Sequence, residues 1–458
     1  MVNLKNVYNY WKQYGVRSLV GLVWEKLIID PRRFRGGIER SIPDFTPQPF
    51  PDLFKSCDFK GRTLCYLIHY FYPTKKGGTE RFTYNLAQAN IMDGNRALVI
   101  TLGNRPLAEY PFTIGDIFFR YYEYEGVPVI EIRHRHAPIG LYYKRIDDSD
   151  TAMAVFARHI IEYGHVDIVH ATYPQPFASF LAVCAEKNVP YMVTLTDFAM
   201  LCHYSTMVDK RGNFCGGSQC GKRCEKICST YGIRSFLKRY YTAARVLQSA
   251  YCITAPSKFV GNIFKNDFPG TQVKVIPHGI GGIFTSARKR SETKRFLYAG
   301  TLAPLKGVHL LVQAFCAVKG DITLDIYGDG NKDYIIELKR MADERVTFPG
   351  AVSGDNMPEV FNQADCVIIS SVWYETYNFV AREALACGCI VVASRIGALP
   401  EAISEGENGF SFETGNIDDL QKALNRARQF DWSRYKTSIF PSREKEYLEY
   451  RRLYEQVY

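Results

Sequence analysis

A repeated alternation of short apolar runs and helical patterns constrains this chain more than any other feature. Residues 63–70 (TLCYLIHY) form a near-continuous apolar run, which is typical of a strand buried on both faces. Segments with apolar residues at i, i+3 and i+4 separate such runs, as at 308–318 and 379–387. Strands that alternate with helices in this way predict parallel sheets with helices packed on both faces.

The apolar runs fall into two series of similar size. A chain of 458 residues is also longer than a single core usually supports. We therefore predict an α/β protein with two doubly wound, Rossmann-like domains at 53–268 and 269–430, facing a central cleft. Ligands of such sheets bind beyond the carboxyl ends of the strands, so the loops there are the candidate sites. The expected strands lie at 63–70, 98–101, 166–171 and 191–195 in the first series and at 296–299, 322–327, 346–348, 366–370 and 390–394 in the second.

The first 52 residues differ from the rest of the chain. Leu4, Val7 and Trp11 recur at helical spacing among lysines and arginines, and a proline-rich linker follows at 43–51. This basic, partly helical extension can lie in the plane of an anionic membrane surface or pack on the main body. No apolar run is long enough to span a membrane and no signal peptide is apparent, so we expect a cytoplasmic protein that is at most peripheral to the membrane.

Composition narrows the classes of partner. The 57 lysines and arginines outnumber the 47 aspartates and glutamates, which suits an anionic small ligand, an acidic membrane surface or nucleic acid. The hydrophobic fraction of 47% is that of a folded globular protein and excludes a mostly disordered chain. No recognition motif for nucleic acid accompanies the charge, so we predict no nucleic-acid partner.

Two loops that follow predicted strands carry candidate binding residues. After the first strand, Gly77 and Gly78 precede a helix, where backbone amides can approach an anion closely, although many such pairs are only turns. In the second domain, Gly300 and Thr301 begin a loop that reaches Lys306. A lysine beside a glycine turn at the end of a strand is well placed to meet a diphosphate.

The strongest local pattern is a spaced pair of carboxylates. Glu375 follows the strand at 366–370, and Glu383 lies about a turn into the next helix. Carboxylates accept hydrogen bonds from vicinal hydroxyls, so the pair suits a sugar or ribose that carries a phosphate. A carboxylate that interacts with the helix dipole, beside a solvated one, is the structural alternative. The start of that helix presents backbone amides at Tyr377, Asn378 and Phe379.

These motifs closely resemble GT-B-fold, retaining glycosyltransferases of the family 4 type. The resemblance covers about residues 64–427 and includes both carboxylates. In the first domain the similar segments are GGTERF at 77–82, DIVHA at 167–171, TAPSKFV at 254–260 and VIPHGI at 275–280. In the second domain they are GTLAPLKG at 300–307, IYGDG at 326–330, EALACG at 383–388, VVASRIGALPE at 391–401 and ENGFSF at 407–412.

The resemblance implies a nucleotide-diphosphate sugar donor held mainly by the second domain and an acceptor, a glycan or lipid-linked molecule, held mainly by the first. It implies that Glu383 binds the ribose hydroxyls and that Glu375 binds the donor sugar, with the amides of 377–379 completing that pocket. It implies that Lys306 neutralises the diphosphate leaving group, while Gly77 and Gly78 approach the phosphates or the acceptor. It also implies that the segment 431–458 forms a helix that crosses back to the first domain.

Three positions depart from the pattern of the family. Thr301 stands where many relatives carry an arginine, so part of the phosphate clamp is absent, and Lys306 alone or Lys258 would carry that duty. Asn378 replaces a usual glycine, and asparagine tolerates the left-handed backbone that the turn needs. Thr196 replaces a frequent histidine, which makes Asp197 the candidate to orient the acceptor or relay its proton. A helix N-cap is the alternative role for Asp197.

A cysteine-rich insertion at 202–228 interrupts the first domain. An insertion with so little apolar content often folds around a metal, and four thiolates would complete a tetrahedral zinc site. The spacing lacks clean paired Cys-x2-Cys motifs, so thiols in a flexible loop are the alternative. We predict a structural zinc held by four of Cys202, Cys215, Cys220, Cys224 and Cys228.

Catalysis itself is expected to need no cofactor. Lys306 and the amides at a helix N-terminus can stabilise the negative charge of a departing diphosphate without a divalent metal. Asp148 and Asp150 have the spacing of a metal-binding DxD pair, but their polar surroundings favour a surface loop.

The leading hypothesis is a retaining hexosyltransferase of cell-surface polysaccharide or glycolipid assembly. One alternative is a nucleotide-sugar epimerase on the same fold. Another is a non-catalytic scaffold or binding protein that keeps the fold and uses its cysteine-rich loop for a partner. The presence of Glu375, Glu383 and Lys306 together favours catalysis.

Overall fold

The computed structural model describes residues 61–136, 146–209, 211–228, 232–281 and 292–457. The predicted N-terminal extension and linker at 1–52 lie outside these residues, as does the membrane contact proposed for that extension. Within the described ranges, no helix combines the length and the apolar character needed to cross a membrane.

The described residues form fifteen strands that belong to two sheets. In chain order the strands are β1 (Thr63–Ile68), β2 (Arg96–Leu102), β3 (Phe112–Ile114), β4 (Ile117–Tyr124), β5 (Val127–His134), β6 (Ile168–Ala171), β7 (Tyr191–Thr194), β8 (Cys252–Ala255), β9 (Lys274–Val275), β10 (Arg295–Ala299), β11 (Thr323–Tyr327), β12 (Val346–Gly350), β13 (Cys366–Ile369), β14 (Ile390–Ser394) and β15 (Gly409–Phe412).

Helices separate most of these strands. In chain order the described α-helices are α1 (Gly78–Met92), α2 (Thr151–Gly164), α3 (Ala178–Glu186), α4 (Lys222–Ile227), α5 (Ile233–Ser249), α6 (Lys258–Asp267), α7 (Val308–Ala317), α8 (Lys332–Met341), α9 (Met357–Gln363), α10 (Phe379–Ala386), α11 (Ile417–Arg428) and α12 (Arg443–Glu455).

Two largely parallel sheets confirm the predicted α/β class with two Rossmann-like domains. The first sheet has the order β3-β4-β5-β2-β1-β6-β7-β8-β9, and only the β3–β4 and β4–β5 pairs are antiparallel. The second sheet has the order β12-β11-β10-β13-β14-β15 and is parallel throughout.

The first sheet extends past residue 268, where the sequence pattern placed the domain boundary. Strand β9 pairs with β8 in parallel, and the second sheet begins only at Arg295. The break at Asp267 and Gly270 is a turn between α6 and β9, because Asp267 ends α6 and Thr271 donates a backbone hydrogen bond to Phe268.

Strand β1 shows why the sequences of the central strands are continuous apolar runs. Successive side chains of a strand point to opposite faces of the sheet. Cys65 and Leu67 belong to one buried cluster, while Leu64, Tyr66 and Ile68 belong to a second cluster on the other face. Both faces are therefore covered by helices, and every residue of the strand is buried.

The last helix, α12, packs on the first domain through a buried network of hydroxyl groups. Tyr454 Oη lies 2.8 Å from His170 Nδ1, and His170 Nε2 lies 2.7 Å from Thr194 Oγ1. Thr254 Oγ1 continues the network to Tyr450 Oη at 3.1 Å. Burial lowers the pKa of His170 to about 3, so the imidazole is neutral and serves as a structural hydrogen-bonding group.

Replacing one hydroxyl of this network tests how strongly α12 is held. Tyr454→Phe leaves the buried Nδ1 of His170 without its partner, and we expect it to lower the free energy of unfolding by about 1–2 kcal/mol. Thermal and urea unfolding measure the loss. Tyr251→Phe, at a tyrosine that is 45% exposed, is the matched control and should leave stability unchanged. Equal midpoints for Tyr454→Phe and the wild type would contradict this role of the network.

Candidate active site

Lys306 and Glu375 form an ion pair beyond the carboxyl ends of β10 and β13. Lys306 Nζ donates to Glu375 Oε1 at 2.7 Å. Gly307 has a left-handed backbone (φ 65°), and a Cβ there would lie 2.0 Å from the carbonyl oxygen of Ser370. Ser370 Oγ also donates to the carbonyl of Lys306 at 2.9 Å. The turn that carries the lysine is thereby fixed against the end of β13.

Two further donors converge on the same carboxylate oxygen. Ser371 Oγ lies 2.6 Å and Trp373 Nε1 lies 2.9 Å from Glu375 Oε1. The Lys306 ammonium also lies 4.6 Å from the centroid of the Trp373 ring. The sequence reasoning did not single out Ser371 or Trp373, although both lie in the polar stretch directly after a strand, where ligand sites were expected.

These donors keep Glu375 ionised despite its burial. Burial raises the pKa of Glu375, but the charge of Lys306 and the hydrogen bonds from Lys306, Ser371 and Trp373 outweigh it, so the pKa lies below its ordinary value. The group therefore contributes stability at neutral pH, and that contribution is lost as the pH falls through the lowered pKa.

The turn that leads into α10 has the left-handed residue that the sequence predicted, and the side chain of that residue caps the helix. Asn378 adopts a left-handed backbone (φ 65°), and its Oδ1 accepts a hydrogen bond from the amide of Ala381 at 2.9 Å. Tyr377 is buried, and its hydroxyl donates to the carbonyl of His278 at 2.5 Å. The rings of Phe379 and His278 stack at an interplanar angle of 10°. Residues 377–379 therefore contact the first domain as well as the helix that they begin.

Glu383 faces the first domain across the cleft. Arg81 of α1 forms an ion pair with it, with Arg81 Nη1 2.7 Å from Glu383 Oε1. Burial raises the pKa of Glu383, and the charges of Arg81 and Arg443 oppose that rise. Gly78 permits this approach of α1 to α10, because a Cβ there would lie only 3.2 Å from the Phe379 ring. The helix N-termini at Gly78 and Phe379 thus meet in the cleft.

The amide of Gly77 is already occupied in this structure. Glu80, in the first turn of α1, is buried, and its carboxylate accepts a hydrogen bond from that amide. This is one half of a capping box, in which a glutamate reaches back to the N-cap, because Gly77 has no side chain to form the other half. Burial is the main cause that raises the pKa of Glu80.

The Gly300 loop lies beside the loop that follows β11. Gly300 donates its amide hydrogen to the carbonyl of Tyr327 at 3.1 Å, and Leu302 donates to Asp329 at 2.9 Å. The side chain of Thr301 is exposed, and its carbonyl accepts a hydrogen bond from Tyr298. The two loops are thus hydrogen-bonded to each other at the carboxyl ends of β10 and β11, and the first of them continues into the turn of Lys306.

Asp197 lies on the first-domain side of the cleft, after β7. Its Oδ1 accepts from the amide of Ala199 at 2.9 Å, and its carboxylate also accepts from the Tyr173 hydroxyl. Burial raises the pKa of Asp197 to about 6, against the opposing effects of that amide, Tyr173 and Arg239. The His69 ring stacks on Tyr173 at a centroid distance of 3.7 Å. Asp197 caps a turn and not a helix, since 198–201 form turns.

Tyr374, the neighbour of Glu375, inserts into an aromatic cluster of the first domain. Its ring centroid lies 6.2 Å from that of Phe198, 4.9 Å from Phe214 and 5.0 Å from Phe259. Phe214 belongs to the cysteine-rich segment and Phe198 follows Asp197. The cluster therefore connects the loops after β7 to the residue next to Glu375.

Hydrogen bonds also join the domains at α6. Glu401 accepts from the amides of Lys258 and Phe259 at 3.1 and 2.7 Å, and Ser257 Oγ donates to the carbonyl of Thr376 at 2.7 Å. The amides at the start of α6 are thus bound to a carboxylate, and the side chain of Lys258 is exposed.

The cysteine-rich segment is held by hydrogen bonds. Asp267 accepts from the amides of Ser218 and Gln219 at 2.8 and 3.3 Å, and Asp209 accepts from the amides of Arg211 and Asn213. Such bonds order a polar loop that has little apolar content, which is the task that the sequence analysis had assigned to a metal.

No cluster able to hold a metal ion occurs among the histidines, cysteines and carboxylates that the structure describes. No disulfide joins the described cysteines either. The structure therefore does not support the predicted structural zinc at four of Cys202, Cys215, Cys220, Cys224 and Cys228. Asp148 and Asp150 are engaged structurally, since Asp148 pairs with Arg245 and Asp150 caps α2.

A double-mutant cycle tests the Lys306–Glu375 pair. Lys306→Met removes the cation while burial still raises the pKa of Glu375, so we expect the free energy of unfolding at neutral pH to fall by about 1.5–3 kcal/mol. The deficit should shrink as the pH is lowered and the carboxyl group takes up a proton. Lys306→Met/Glu375→Gln should lose at least about 0.5 kcal/mol less than the sum of the single variants.

Urea unfolding of the four proteins over a range of pH gives these values. Lys339→Met, at an exposed lysine of α8, is the control and should show no dependence on the Glu375 substitution. Strict additivity of Lys306→Met and Glu375→Gln would show that the pair contributes nothing to stability.

Two family models match the chain. The model described as Glycosyltransferase Family 4 matches residues 76–281, and the model described as Glycosyl transferases group 1 matches residues 293–429. The first match falls on the first domain and the second on the second domain, so the two together span the molecule from α1 to the end of α11.

Individual relatives match in part. An uncharacterised glycosyltransferase of Methanocaldococcus jannaschii is 34% identical over 148 residues, which are 31% of this chain and 37% of that protein. The lipopolysaccharide 1,2-N-acetylglucosaminetransferase of Salmonella typhimurium is 29% identical over 199 residues, which are 38% of this chain and 52% of that protein. The chain thus spans about half the length, or less, of these curated relatives.

A solved structure has the same fold over most of the chain. Anabaena HepE in complex with UDP superposes with a TM-score of 0.58 and 17% identity, covering 86% of this chain and 100% of that chain. The same protein with UDP-glucose gives a TM-score of 0.55 at 19% identity, covering 86% and 98%. The fold is therefore GT-B, and the chain belongs to the group 1, family 4 type glycosyltransferases.

Proposed function

We propose that the protein is a retaining glycosyltransferase that moves a hexose from a nucleotide-diphosphate sugar to a glycan or lipid-linked acceptor in the assembly of cell-surface polysaccharide or glycolipid. The observation that carries the proposal is the Lys306–Glu375 pair. The pair lies just before the start of α10, the helix that contains Glu383. The complexes of HepE with UDP and UDP-glucose and the lipopolysaccharide transferase of Salmonella support a sugar nucleotide as the donor.

Donor binding uses the second domain. Glu383 accepts hydrogen bonds from the ribose hydroxyls, because its buried carboxylate faces the cleft near the start of α10. The second oxygen of Glu375 is available to the hydroxyls of the sugar, since the contacts with Lys306, Ser371 and Trp373 all use Oε1. Lys306 has three donor hydrogens and can bind a phosphate oxygen while it stays on the carboxylate.

The reaction exchanges one bond of the anomeric carbon for another. The bond to the diphosphate oxygen breaks and a bond to the acceptor hydroxyl oxygen forms, and the hydroxyl proton leaves to a base or to the departing phosphate. Lys306 and the first amides of α10 stabilise the charge that develops on the diphosphate, which is a metal-independent role. Asp197, on the acceptor side, orients the hydroxyl or receives its proton.

A calorimetric panel tests the donor site. UDP, GDP, ADP and their common sugar conjugates are titrated into the wild type, Glu383→Ala and Glu359→Ala. We expect one nucleotide to bind, and Glu383→Ala to weaken it by about 1.5–3 kcal/mol, because two hydrogen bonds from the ribose hydroxyls to a charged group are lost. Glu359 is exposed on α9, so Glu359→Ala should bind like the wild type.

The panel can also refute the proposal. Absence of binding to every nucleotide by the folded protein would contradict a transferase. With the donor identified, the anomeric configuration of the transferred sugar, read from proton coupling constants, reports whether configuration is retained. An inverted product would contradict the retaining mechanism alone.

The pH dependence of transfer tests Asp197. Its pKa of about 6 means that the carboxylate is ionised above that pH. We expect kcat/KM to fall as the pH drops through about 6, and Asp197→Asn to lower kcat/KM by about 10²–10⁴-fold and to remove that pH limb. Donor affinity should be unchanged in Asp197→Asn, because the residue lies on the acceptor side.

Asp321→Asn, at a surface position, serves as the control and should keep the wild-type pH profile. A wild-type rate that is flat between pH 5 and 7, or an Asp197→Asn variant with normal turnover, would eliminate Asp197 from the reaction.

A further inference from the structure

Arg81 is the cation of the cleft that the sequence reasoning did not single out. It lies in the first turn of α1 and reaches across to the second domain. Its Nη1 lies 2.7 Å from Glu383 Oε1, and its guanidinium carbon lies 3.9 Å from the centroid of the Phe379 ring. The side chain is only 23% exposed, so its position is held by an ion pair on one side and by an aromatic face on the other.

One edge of this guanidinium is unsatisfied. The Nη2 atom of Arg81 is buried and has no hydrogen-bond partner among the described residues. A buried donor of a charged group that lacks an acceptor is costly, and such groups in native proteins usually meet a ligand or water. A guanidinium is a planar fork that binds carboxylate or phosphate oxygens with two parallel hydrogen bonds. The geometry therefore points to an oxyanion beside Glu383.

The proposed donor site has one cation for the diphosphate, Lys306, and Thr301 stands at the position where an arginine would complete the clamp. Lys258 is exposed, and the amides that begin its helix bind Glu401. Arg81 also lies beside the first residue of α10, and helix N-termini favour bound anions.

We propose that Arg81 supplies the second cation of the diphosphate clamp. Its Nη2 edge binds a phosphate oxygen of the donor, while Nη1 stays on Glu383 and directs that carboxylate to the ribose. The first domain then provides a phosphate contact that the family pattern places in the second domain. This inference rests on the donor site proposed above.

The test compares ligands with and without phosphate. UDP, uridine and inorganic pyrophosphate are titrated into the wild type, Arg81→Gln and Arg81→Lys. If the panel above selects another base, GDP and guanosine or ADP and adenosine replace the uridine pair. Arg81→Gln should lower the ratio of UDP affinity to uridine affinity by about tenfold or more and should weaken pyrophosphate by a similar factor. Arg81→Lys keeps the charge without the fork and should recover part of both losses.

Each outcome decides the inference. An unchanged ratio of UDP to uridine affinity in Arg81→Gln would overturn it, because a residue that only joins the domains or competes with the ribose would alter both ligands equally. If Arg81→Gln does not fold, Arg81→Lys decides, and its ratio must lie measurably below that of the wild type. Arg340→Gln, an equal loss of charge at an exposed position of α8, should leave the ratio unchanged.

The binding data distinguish an error in the clamp from an error in the proposed donor site. A wild type that binds no nucleoside diphosphate refutes the proposed donor site. A wild type that binds UDP with an affinity ratio insensitive to Arg81 refutes only the clamp.

Discussion

A buried carboxylate, that of Glu375, fixes the positions of the loops at the carboxyl ends of β10 and β13. An ionised carboxyl group is removed from water at a large cost unless charge and hydrogen bonds replace the solvent. At Glu375 the replacement is a lysine, a hydroxyl and an indole on one oxygen. Its backbone is held as well, since its carbonyl accepts from the amide of Ala398. The side chain of Glu375 therefore holds the end of a strand and a turn, and its backbone holds a distant loop.

The second requirement is that the two domains meet at this point. Tyr377 donates to the backbone of His278, and His278 in turn binds Glu446 of α12 through Nδ1 at 2.9 Å. Glu446 also accepts from the amide of Gly279 at 2.8 Å. The start of α10, the segment between the domains and the final helix are thus linked by buried polar contacts. A buried network of this kind specifies one arrangement, because a misaligned one leaves polar groups unsatisfied.

Much of the fold could be predicted because the central strands are apolar throughout. The hairpin β3–β4 was not predicted, since an antiparallel edge exposes alternate residues and breaks the continuous apolar run. Strand β5 is mostly buried, but Pro128 and Glu131 interrupt its apolar run, so it was not predicted either. Lys306 and Glu375 could be singled out because each follows a strand. Arg81 could not, because it lies inside a helix and acquires its partner only when the domains face each other. The structure does not support the predicted zinc, and cysteine spacing could not show the hydrogen bonds that Asp267 makes with the same segment.

The two ion pairs of the cleft explain how its buried charges are stable without a ligand and can still bind one. Each carboxylate, Glu375 and Glu383, already has a cation, Lys306 or Arg81, so neither buried charge is left unpaired. Both cations carry more donor hydrogens than these pairs use, and both carboxylates have a second oxygen. Under the proposed function, a phosphate and a set of hydroxyls would be added to the existing pairs without breaking them. Because no pair would have to separate, the electrostatic environment of the proposed diphosphate would be organised before the donor arrives, which is the condition under which such charges contribute most to catalysis.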